Sequence, residues 1–239
     1  WHSSVKLKYL GSKNNLEDKL ILDRIPRKES RKDFPRFNFN GLDIWNAYEF
    51  SFLLKGVPKI IVLEISIPSD SQYTVESKSM KLFLNSFYDM NFQKQIEVLS
   101  MLNKKISRAC NSKVKILVKN SFKIFDKSDF SNRSGLLIYN GFRSICPVTS
   151  QPDWGNVYIY SSTDSINKKE IYNFLYSFRS HGGFHENCIE KIFLEIKEKY
   201  AIKHLEVCGR FLRRGGIDIN PIRSTHKKLF FKNFREFNQ

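Results

Sequence analysis

Alternating apolar and polar positions in the first half of the chain predict strands that flank a pair of helices. Strand-like runs cover residues 43–54 and 59–67, and a turn that contains Gly56 and Pro58 joins them. A third strand is predicted over 114–118. Apolar residues at helical spacing predict two helices between the second and third strands. The inward residues of the first helix are Met80, Phe83, Leu84 and Phe87. The second helix is predicted over 92–108, with Phe92, Ile96, Leu99 and Ile106 inward.

The second half of the chain shows the same order of predicted elements. Strands are predicted over 136–142, 156–160 and 204–212. Two helices precede the last strand, and their apolar faces comprise Ile171, Phe174, Leu175 and Phe178 in one, and Ile189, Ile192, Phe193 and Ile196 in the other. Paired helices after paired strands, rather than strict alternation of strand and helix, favour an α+β fold with antiparallel sheets.

These patterns divide the chain into three segments. Residues 1–40 are charged and lack a periodic pattern, so we interpret them as an irregular N-terminal arm. The first folded unit is expected over 41–125 and the second over 126–239, with a polar joint at 126–134. The two units share their order of elements, but their sequences are too different to identify a repeat from residues alone.

The composition is that of a globular protein in a reducing compartment. Of the 239 residues, 41% are hydrophobic, which supports a substantial core and excludes a disordered chain. No apolar run approaches the roughly 20 residues that cross a bilayer, and the polar start argues against a signal peptide. Four cysteines without CxxC spacing predict free thiols and a cytoplasmic location; they are Cys110, Cys146, Cys188 and Cys208.

The formal net charge of +16 predicts an anionic partner, which is a nucleic acid, a membrane surface or a phosphate-bearing ligand. The basic residues are spread along the chain, with denser groups at 24–32, 213–214 and 227–232. A basic RNA-binding module, whose affinity for RNA falls as the salt concentration rises, is therefore one alternative to an enzyme.

The segment 146–155 carries the most specific candidate chemistry. Cys146 precedes Asp153 by seven positions, in a turn-rich stretch that contains Pro147, Pro152 and Gly155. A cysteine thiolate attacks electron-poor carbon, and a protonated aspartate can return a proton after that attack. The alternative without chemistry is a buried cysteine that acts as a small apolar side chain beside a polar turn.

Three further polar clusters fall at predicted turns or helix starts. Residues 76–79, Glu-Ser-Lys-Ser, are typical of a helix start, whose free N–H groups would also suit a phosphate together with Lys78. Residues 184–186, Phe-His-Glu, include a histidine suited to proton transfer near neutral pH. Residues 213–216, Arg-Arg-Gly-Gly, are either a basic turn or a place where guanidinium and backbone approach a phosphate together.

Together these segments resemble the queuosine-pathway nitrile reductases, the 7-cyano-7-deazaguanine reductase (QueF) family in its longer, two-module form. The matching segments, in chain order, are 41–49, 75–87, 146–155, 178–179 with 184–186, and 213–220. The resemblance implies two tandem tunnelling-fold modules, each an antiparallel sheet with two helices on one face. It also implies a homodimer that reduces a nitrile with NADPH, without a metal and without direct contacts to nucleic acid or membrane. Ser150 departs from the family pattern, which often has glycine there.

The resemblance implies a role for each matched residue. Cys146 is expected to be the nucleophile, and Asp153 the proton donor, with a raised pKa that keeps it protonated before the attack. The deazaguanine is expected to contact Val75, Glu76, Ser77, His185 and Glu186. NADPH is expected to contact Ser77, Lys78, Arg214 and Gly215. A zinc-dependent cyclohydrolase on the same fold, with Cys146, His185 and Cys188 around the metal, is the alternative enzyme.

Overall fold

The computed structural model describes residues 22–34, 39–126, 135–162 and 166–239. The strands in these ranges are β1 (Arg24–Pro26), β2 (Asn40–Leu54), β3 (Val57–Pro68), β4 (Tyr73–Val75), β5 (Asn91–Phe92), β6 (Lys115–Lys119), β7 (Lys123–Ile124), β8 (Leu136–Ile145), β9 (Pro152–Ser161), β10 (Leu205–Phe211), β11 (Ile217–Ser224) and β12 (Phe234–Arg235). The α-helices are α1 (Arg27–Ser30), α2 (Ser77–Asn85), α3 (Gln95–Cys110), α4 (Lys168–Ser177) and α5 (His185–Lys199), and a 3-10 turn covers Phe178–Ser180.

One continuous sheet holds both halves of the chain. Its order is β6-β3-β2-β11-β10-β9-β8 with antiparallel neighbours, and the short β5 pairs in parallel with β2. Strand β11 joins the halves because it pairs with β10 on one side and with β2 on the other, where Ile219 lies opposite Trp45. The predicted α+β class with antiparallel strands is confirmed.

Strand β11 corrects the sequence prediction, which has no strand after 204–212. Its residues include Asp218, Asn220 and Pro221, which are typical of a turn. They form a strand here because both neighbouring strands supply ladder partners, and every residue of β11 is buried. The side chain of Asn46 on β2 donates to Asp218 at 2.8 Å, so the buried carboxylate has a partner.

Apolar side chains on one face of the sheet pack against the four longer helices described here. The buried residues between the sheet and these helices include Phe50, Phe83 and Leu102 in the first half and Leu175, Ile192 and Val207 in the second. The predicted inward position of Ile96 is wrong, because its side chain is 66% exposed. Ile96 precedes the buried Val98 by two positions and therefore lies on the far side of α3. None of the described helices is long and apolar enough to cross a membrane.

The C-terminal segment covers the opposite face of the sheet. Phe231 and Phe234 pack with Tyr158 and Cys208 in a separate cluster of buried residues. Arg210 donates a hydrogen bond to the carbonyl of Phe234, and its guanidinium carbon lies 4.7 Å from the centroid of that ring. The basic residues at 227–232 thus belong to a segment that aromatic side chains anchor to the sheet.

The described part of the N-terminal arm is regular, which corrects the prediction of an irregular arm. Strand β1 pairs with β4, and helix α1 begins directly after β1. Arg27 is buried, forms an ion pair of 2.5 Å with Asp43, and donates to the hydroxyl of Ser71 at 3.0 Å. Residues 1–21 and 35–38 of the predicted arm, and 127–134 of the predicted joint, lie outside the described residues.

Candidate active site

A cavity of about 180 Å³ has walls from both halves of the chain. Residues of β1, β2, β4 and α2 line one side, and residues of the β8–β9 loop, the start of α5 and the turn after β10 line the other. Nine of the ten residues given a role by the resemblance line this cavity: Val75, Glu76, Ser77, Lys78, Cys146, Asp153, His185, Glu186 and Arg214. Gly215, the tenth, directly follows Arg214.

Cys146 lies in a tight loop between β8 and β9. Its N–H donates to the carbonyl of Gln151 at 2.9 Å, and its carbonyl accepts from the N–H of Ser150 at 3.0 Å. Ser150 has a φ of 55°, in the left-handed region that favours glycine, which gives a physical reason for glycine at this position of the family pattern. The thiol of Cys146 is half-buried, and all four cysteines are free, as predicted.

Asp153 is buried at the start of β9 and is held by an arginine. Arg214 donates from Nη1 to Oδ1 of Asp153 and from Nη2 to the side-chain oxygen of Gln151, so one guanidinium contacts two side chains of the same segment. The Nε2 atom of His185 lies 3.8 Å from the same Oδ1. The sequence did not indicate the ion pair with Arg214, because 61 positions separate the two residues.

His185 is the first residue of α5 and faces Asp153. Burial lowers the pKa of His185 to about 4, the Asp153 carboxylate opposes this shift, and Arg214 adds to it. The imidazole is therefore neutral at pH 7. Its ring meets the ring of Phe211 edge-on, with 4.2 Å between centroids, which restricts its orientation. A neutral imidazole in a fixed orientation can donate one hydrogen bond and accept another.

Glu186 is buried beside His185, with Thr74 as its hydrogen-bond donor. The hydroxyl of Thr74 lies 3.2 Å from Oε1 of Glu186. Burial raises the pKa of Glu186 to about 7, the Asp43 carboxylate adds to this shift, and Arg27 opposes it. Near neutral pH, both the carboxylate and the carboxylic acid of Glu186 are therefore populated.

Glu76 caps helix α2 with its own side chain. Its carboxylate accepts from the backbone N–H of Lys78 at 2.9 Å and from that of Ser79 at 2.7 Å. The N–H of Glu76 donates to the carbonyl of Asp23 at 2.9 Å, which ties the cap to the N-terminal segment. The prediction of free N–H groups at this helix start is therefore wrong for these two groups, since Glu76 occupies them.

Lys81 also lines the cavity, although it lies outside the candidate clusters that the sequence indicated. It lies on α2 three positions after Lys78, and this spacing on one helix face is the signal that could have identified it. Burial lowers the pKa of Lys81, Arg214 lowers it further, and the acidic groups of the cavity oppose the shift. Lys78, Lys81 and Arg214 together give the cavity a cationic wall.

Gly215 and Gly216 form the turn that presents Arg214. Their φ angles are 60° and 80°, and the N–H of Arg214 donates to the carbonyl of Ile217 at 2.9 Å. A Cβ atom at Gly215 would lie 3.2 Å from Cδ of Lys81. The glycines therefore allow the turn to approach Lys81 closely while Arg214 reaches Asp153.

The described residues give the zinc-dependent alternative no support. In the described ranges, no group of three or more His, Cys, Asp or Glu side chains is arranged to hold a metal ion. Cys188 is buried, which raises the pKa of its thiol to about 12, and its Sγ donates to the carbonyl of Gly183 at 3.7 Å. Zinc is bound by thiolates, so this environment disfavours Cys188 as a ligand.

Two family models match the chain. One, described as "Nitrile reductase, 7-cyano-7-deazaguanine-reductase N-term", matches residues 13–118. The other, described as "QueF-like protein", matches residues 152–229. Glu76 lies in the first matched region, Asp153 and Arg214 lie in the second, and Cys146 falls between the two.

Curated relatives match this chain over most of their length, and the three described here share the name "NADPH-dependent 7-cyano-7-deazaguanine reductase". The relative from Desulfotalea psychrophila is 37% identical over 243 residues, which covers 86% of this chain and 87% of the relative. The relative from Burkholderia vietnamiensis is 34% identical over 257 residues, or 93% of each chain. The relative from Paraburkholderia phytofirmans is 34% identical over 253 residues, which covers 91% of this chain and 92% of the relative.

Proposed function

The chain belongs to the 7-cyano-7-deazaguanine reductase family, and from this premise we propose that it reduces 7-cyano-7-deazaguanine to 7-aminomethyl-7-deazaguanine with NADPH, a step of queuosine biosynthesis. The observation that carries the proposal is the meeting of Cys146, Asp153 and His185 at one cavity. A nitrile resists direct hydride transfer, so its reduction benefits from a nucleophile and a proton source at the same place.

Cys146 and Asp153 divide the chemistry between attack and proton transfer. The thiolate of Cys146 attacks the nitrile carbon, and the nitrile nitrogen takes a proton from Asp153, which gives a thioimide on Cys146. Two molecules of NADPH, bound one after the other, would supply the two hydrides that carry the four electrons. Between the two reductions the C–S bond breaks, Cys146 leaves as a thiolate, and an imine remains. Two hydrides and two protons then account for the neutral amine.

The deazaguanine is recognised through Val75, Glu76, Ser77, His185 and Glu186. The carboxylate of Glu186 pairs with the N–H groups of the base, and the neutral His185 offers one donor and one acceptor. Glu76 already caps α2, yet each carboxylate oxygen has a second lone pair for the base. Because Glu76 and Glu186 come from different halves of the chain, the base is bound between them.

NADPH is held by Ser77, Lys78, Arg214 and Gly215, and Lys81 extends this set. The fit rests on charge, because three cationic side chains line the cavity and NADPH carries several anionic phosphate oxygens. Two N–H groups at the start of α2 are occupied by Glu76, so on this helix the lysine side chains bind the phosphates. The Gly215–Gly216 turn leaves room for a phosphate to approach the backbone.

The two halves of the chain are tandem tunnelling-fold modules, 41–125 and 126–239, that act as a homodimer in the cytoplasm. The longer elements of both halves include two strands, then two helices, then a further strand, and this common order supports the two modules. The four free thiols support a reducing location. The substrate is a small molecule, and the assignment requires no metal, membrane or nucleic acid.

The decisive experiment measures nitrile-dependent oxidation of NADPH by the purified full chain. We expect two NADPH to be oxidised per nitrile by the wild type and none by Cys146→Ala. Intact mass after incubation with the nitrile should show an adduct on the wild type that Cys146→Ala lacks. Stoichiometric zinc with no NADPH oxidation would instead support the cyclohydrolase, and salt-sensitive RNA binding with no NADPH oxidation would support the RNA-binding module.

A further inference from the structure

The N-terminal segment 23–31, which contains β1 and α1, is fixed to the first-half wall of the cavity. Ile25 of β1 lies opposite Thr74 of β4 in the antiparallel ladder. The carbonyl of Asp23 accepts from the backbone N–H of Glu76 at 2.9 Å. The segment therefore runs along the strand that leads to Glu76 and is hydrogen-bonded to the start of α2.

The same segment is also fixed to α5, the helix whose first turn carries Glu186. Arg31 donates to both carboxylate oxygens of Glu190, at 2.9 Å from Nε and at 2.6 Å from Nη2. The side chain of Asn187 donates to the carbonyl of Ser30 at 3.0 Å. Glu190 follows Glu186 by about one helical turn, so these contacts hold the face of α5 that carries Glu186.

Ile25 is the residue of this segment that lines the cavity. Its side chain is buried, and Glu186 lines the same cavity. Directly opposite residues of an antiparallel pair have side chains on the same face, so Ile25 lies beside Thr74, the hydrogen-bond donor of Glu186. An apolar side chain next to a carboxylate suits a flat heterocycle with N–H groups at its edge, because the face and the edge need different partners.

Glu190 keeps a second cationic partner when Arg31 is replaced. Arg223 donates to Glu190 from Nε at 3.0 Å and from Nη2 at 2.7 Å. Burial acts to raise the pKa of Glu190, but Arg223 and Arg31 outweigh burial, so the pKa is lowered and the side chain is a carboxylate. The side chain of Arg31 is 24% exposed, so a glutamine at this position is solvated. Loss of Arg31 therefore releases α5 from the segment without leaving a buried charge unpaired.

We propose that segment 23–31 is part of the base-binding site, in which Ile25 contacts the deazaguanine and Arg31 positions Glu186 through Glu190. This inference rests on the proposed function, which supplies the identity of the base. The affinity for the base then depends on how the segment is docked. By linkage, the bound base stabilises the docked segment by the same factor.

The test measures binding of 7-cyano-7-deazaguanine to the full chain by calorimetry, in a Cys146→Ala background where no adduct forms. We expect Arg31→Gln to weaken binding about fivefold, as for the loss of one net hydrogen bond. Ile25→Ala should weaken binding about tenfold, because apolar contact with the base is lost. Lys28→Gln removes a charge from an exposed position of the same segment and should bind as tightly as the background. Arg31→Lys keeps one charged contact to Glu190 and should recover part of the affinity.

The Glu186→Gln variant distinguishes a positioning role of Arg31 from a general structural one. If Arg31 acts through the carboxylate of Glu186, Arg31→Gln changes the affinity by less than about twofold once Glu186 is glutamine. Arg31→Gln should also leave the affinity for NADP⁺ unchanged, because the polar contacts of Arg31 are to Glu190 and to the carbonyl of Ser69. A fivefold loss that persists in Glu186→Gln overturns the positioning role, and so does an Arg31→Gln protein that binds like the background. Unchanged affinity in Ile25→Ala overturns the contact with the base.

Hydrogen exchange keeps the proposal testable if the Arg31 or Ile25 variants do not fold. The N–H of Arg27 donates to the carbonyl of Gln72 at 3.1 Å and so reports on docking of the segment. In Cys146→Ala, saturation with 7-cyano-7-deazaguanine should slow exchange in peptides that cover 23–31 by at least about fivefold, the factor that linkage requires. Exchange that does not respond to the base overturns the proposal.

The same samples separate failure of this inference from failure of the proposed function. A wild type that oxidises NADPH in the presence of the nitrile, but whose affinity for the base does not respond to Ile25 or Arg31, retains the proposed function and loses the inference. A chain that neither binds 7-cyano-7-deazaguanine nor oxidises NADPH in its presence loses both.

Discussion

The hydroxyl of Thr74 and the carboxylate of Glu186 join the two halves of the chain at the wall of the cavity. Thr74 lies in β4, Glu186 lies in the first turn of α5, and 3.2 Å separate the hydroxyl from Oε1. Each residue is 5% exposed, so water does not substitute readily for this bond. A hydrogen bond to a carboxylate favours its charged form and therefore counteracts the effect of burial on Glu186.

Replacing the Thr74 hydroxyl should weaken binding of the deazaguanine. Thr74→Val keeps the shape of the side chain but removes the donor, so a larger fraction of Glu186 is protonated at pH 7. We expect the KM for the nitrile to rise about fivefold, as for the loss of one net hydrogen bond. Thr74→Ser retains a hydroxyl and should recover most of the affinity. Equal KM values for the wild type and Thr74→Val would contradict a role for this bond.

His185 and Glu186 contribute opposite pH dependences to the free energy of unfolding. The pKa of His185 is lowered to about 4 from 6.5, so the unfolded chain binds the extra proton, and stability falls as the pH drops through this window. The pKa of Glu186 is raised to about 7 from 4.5, so the native chain binds the extra proton, and stability falls as the pH rises through this window.

Glu186→Gln should therefore gain stability relative to the wild type as the pH rises. The gain should reach about 3 kcal/mol, because the wild type pays to ionise a buried carboxyl and glutamine does not. Urea unfolding at a series of pH values from 4.5 to 7 covers the window that the shifted pKa defines. A difference between the two proteins that does not change with pH would show that Glu186 titrates normally.

The sequence predicts elements that depend on local pattern and misses those that depend on distant partners. The face of α2 that carries Met80 and Phe83 follows from helical spacing, and both residues are buried. Strand β11 could not be predicted in this way, because its polar residues are stabilised by pairing with β2 and β10. The wrong inward position of Ile96 has the same origin, because contacts across the core determine which face of α3 is buried.

In the candidate site, too, the residues that share a local pattern could be predicted, and the contacts between distant residues could not. Cys146 and Asp153 could be singled out because their chemistry and spacing lie within one short segment. The bond between Arg214 and Asp153 spans 61 positions, and no local pattern indicates it. The cap formed by Glu76 is local, but whether its carboxylate binds the helix start or a ligand depends on geometry that the sequence leaves open.

Asp43 should be essential for stability because it lies between two buried arginines. Its carboxylate is 2.5 Å from Arg27 and 2.8 Å from Arg223. Asp43→Asn leaves both guanidinium groups short of counter-charge, and we expect a loss of about 3–5 kcal/mol in the free energy of unfolding by urea. Asp70→Asn, at an exposed position nearby in the chain, is the control and should stay within about 0.5 kcal/mol of the wild type. A small loss of unfolding free energy in Asp43→Asn would mean that Glu190, which pairs with Arg223, supplies enough negative charge for the two arginines.

Ser150 offers a test of whether loop geometry positions the nucleophile. Its φ of 55° lies in the left-handed region, which is strained for β-branched residues such as valine. Its N–H donates to the carbonyl of Cys146 at 3.0 Å. Ser150→Val should cost about 1–2 kcal/mol in this conformation, so the loop relaxes and Cys146 moves from its position. Ser150→Gly adopts the same conformation without strain and should form the adduct with the nitrile as fast as the wild type.

The measurement is a time course of adduct formation, followed by intact mass, for the wild type and the two Ser150 variants. Thermal unfolding of the same samples separates a local change from loss of the fold, since Ser150→Val should slow the adduct while the protein remains folded at the assay temperature. An adduct that forms in Ser150→Val as quickly as in Ser150→Gly would contradict a role for the loop backbone in positioning Cys146. In that case the position of Cys146 would be set by β8 and by the contacts of Gln151 with Arg214, rather than by the backbone of the loop.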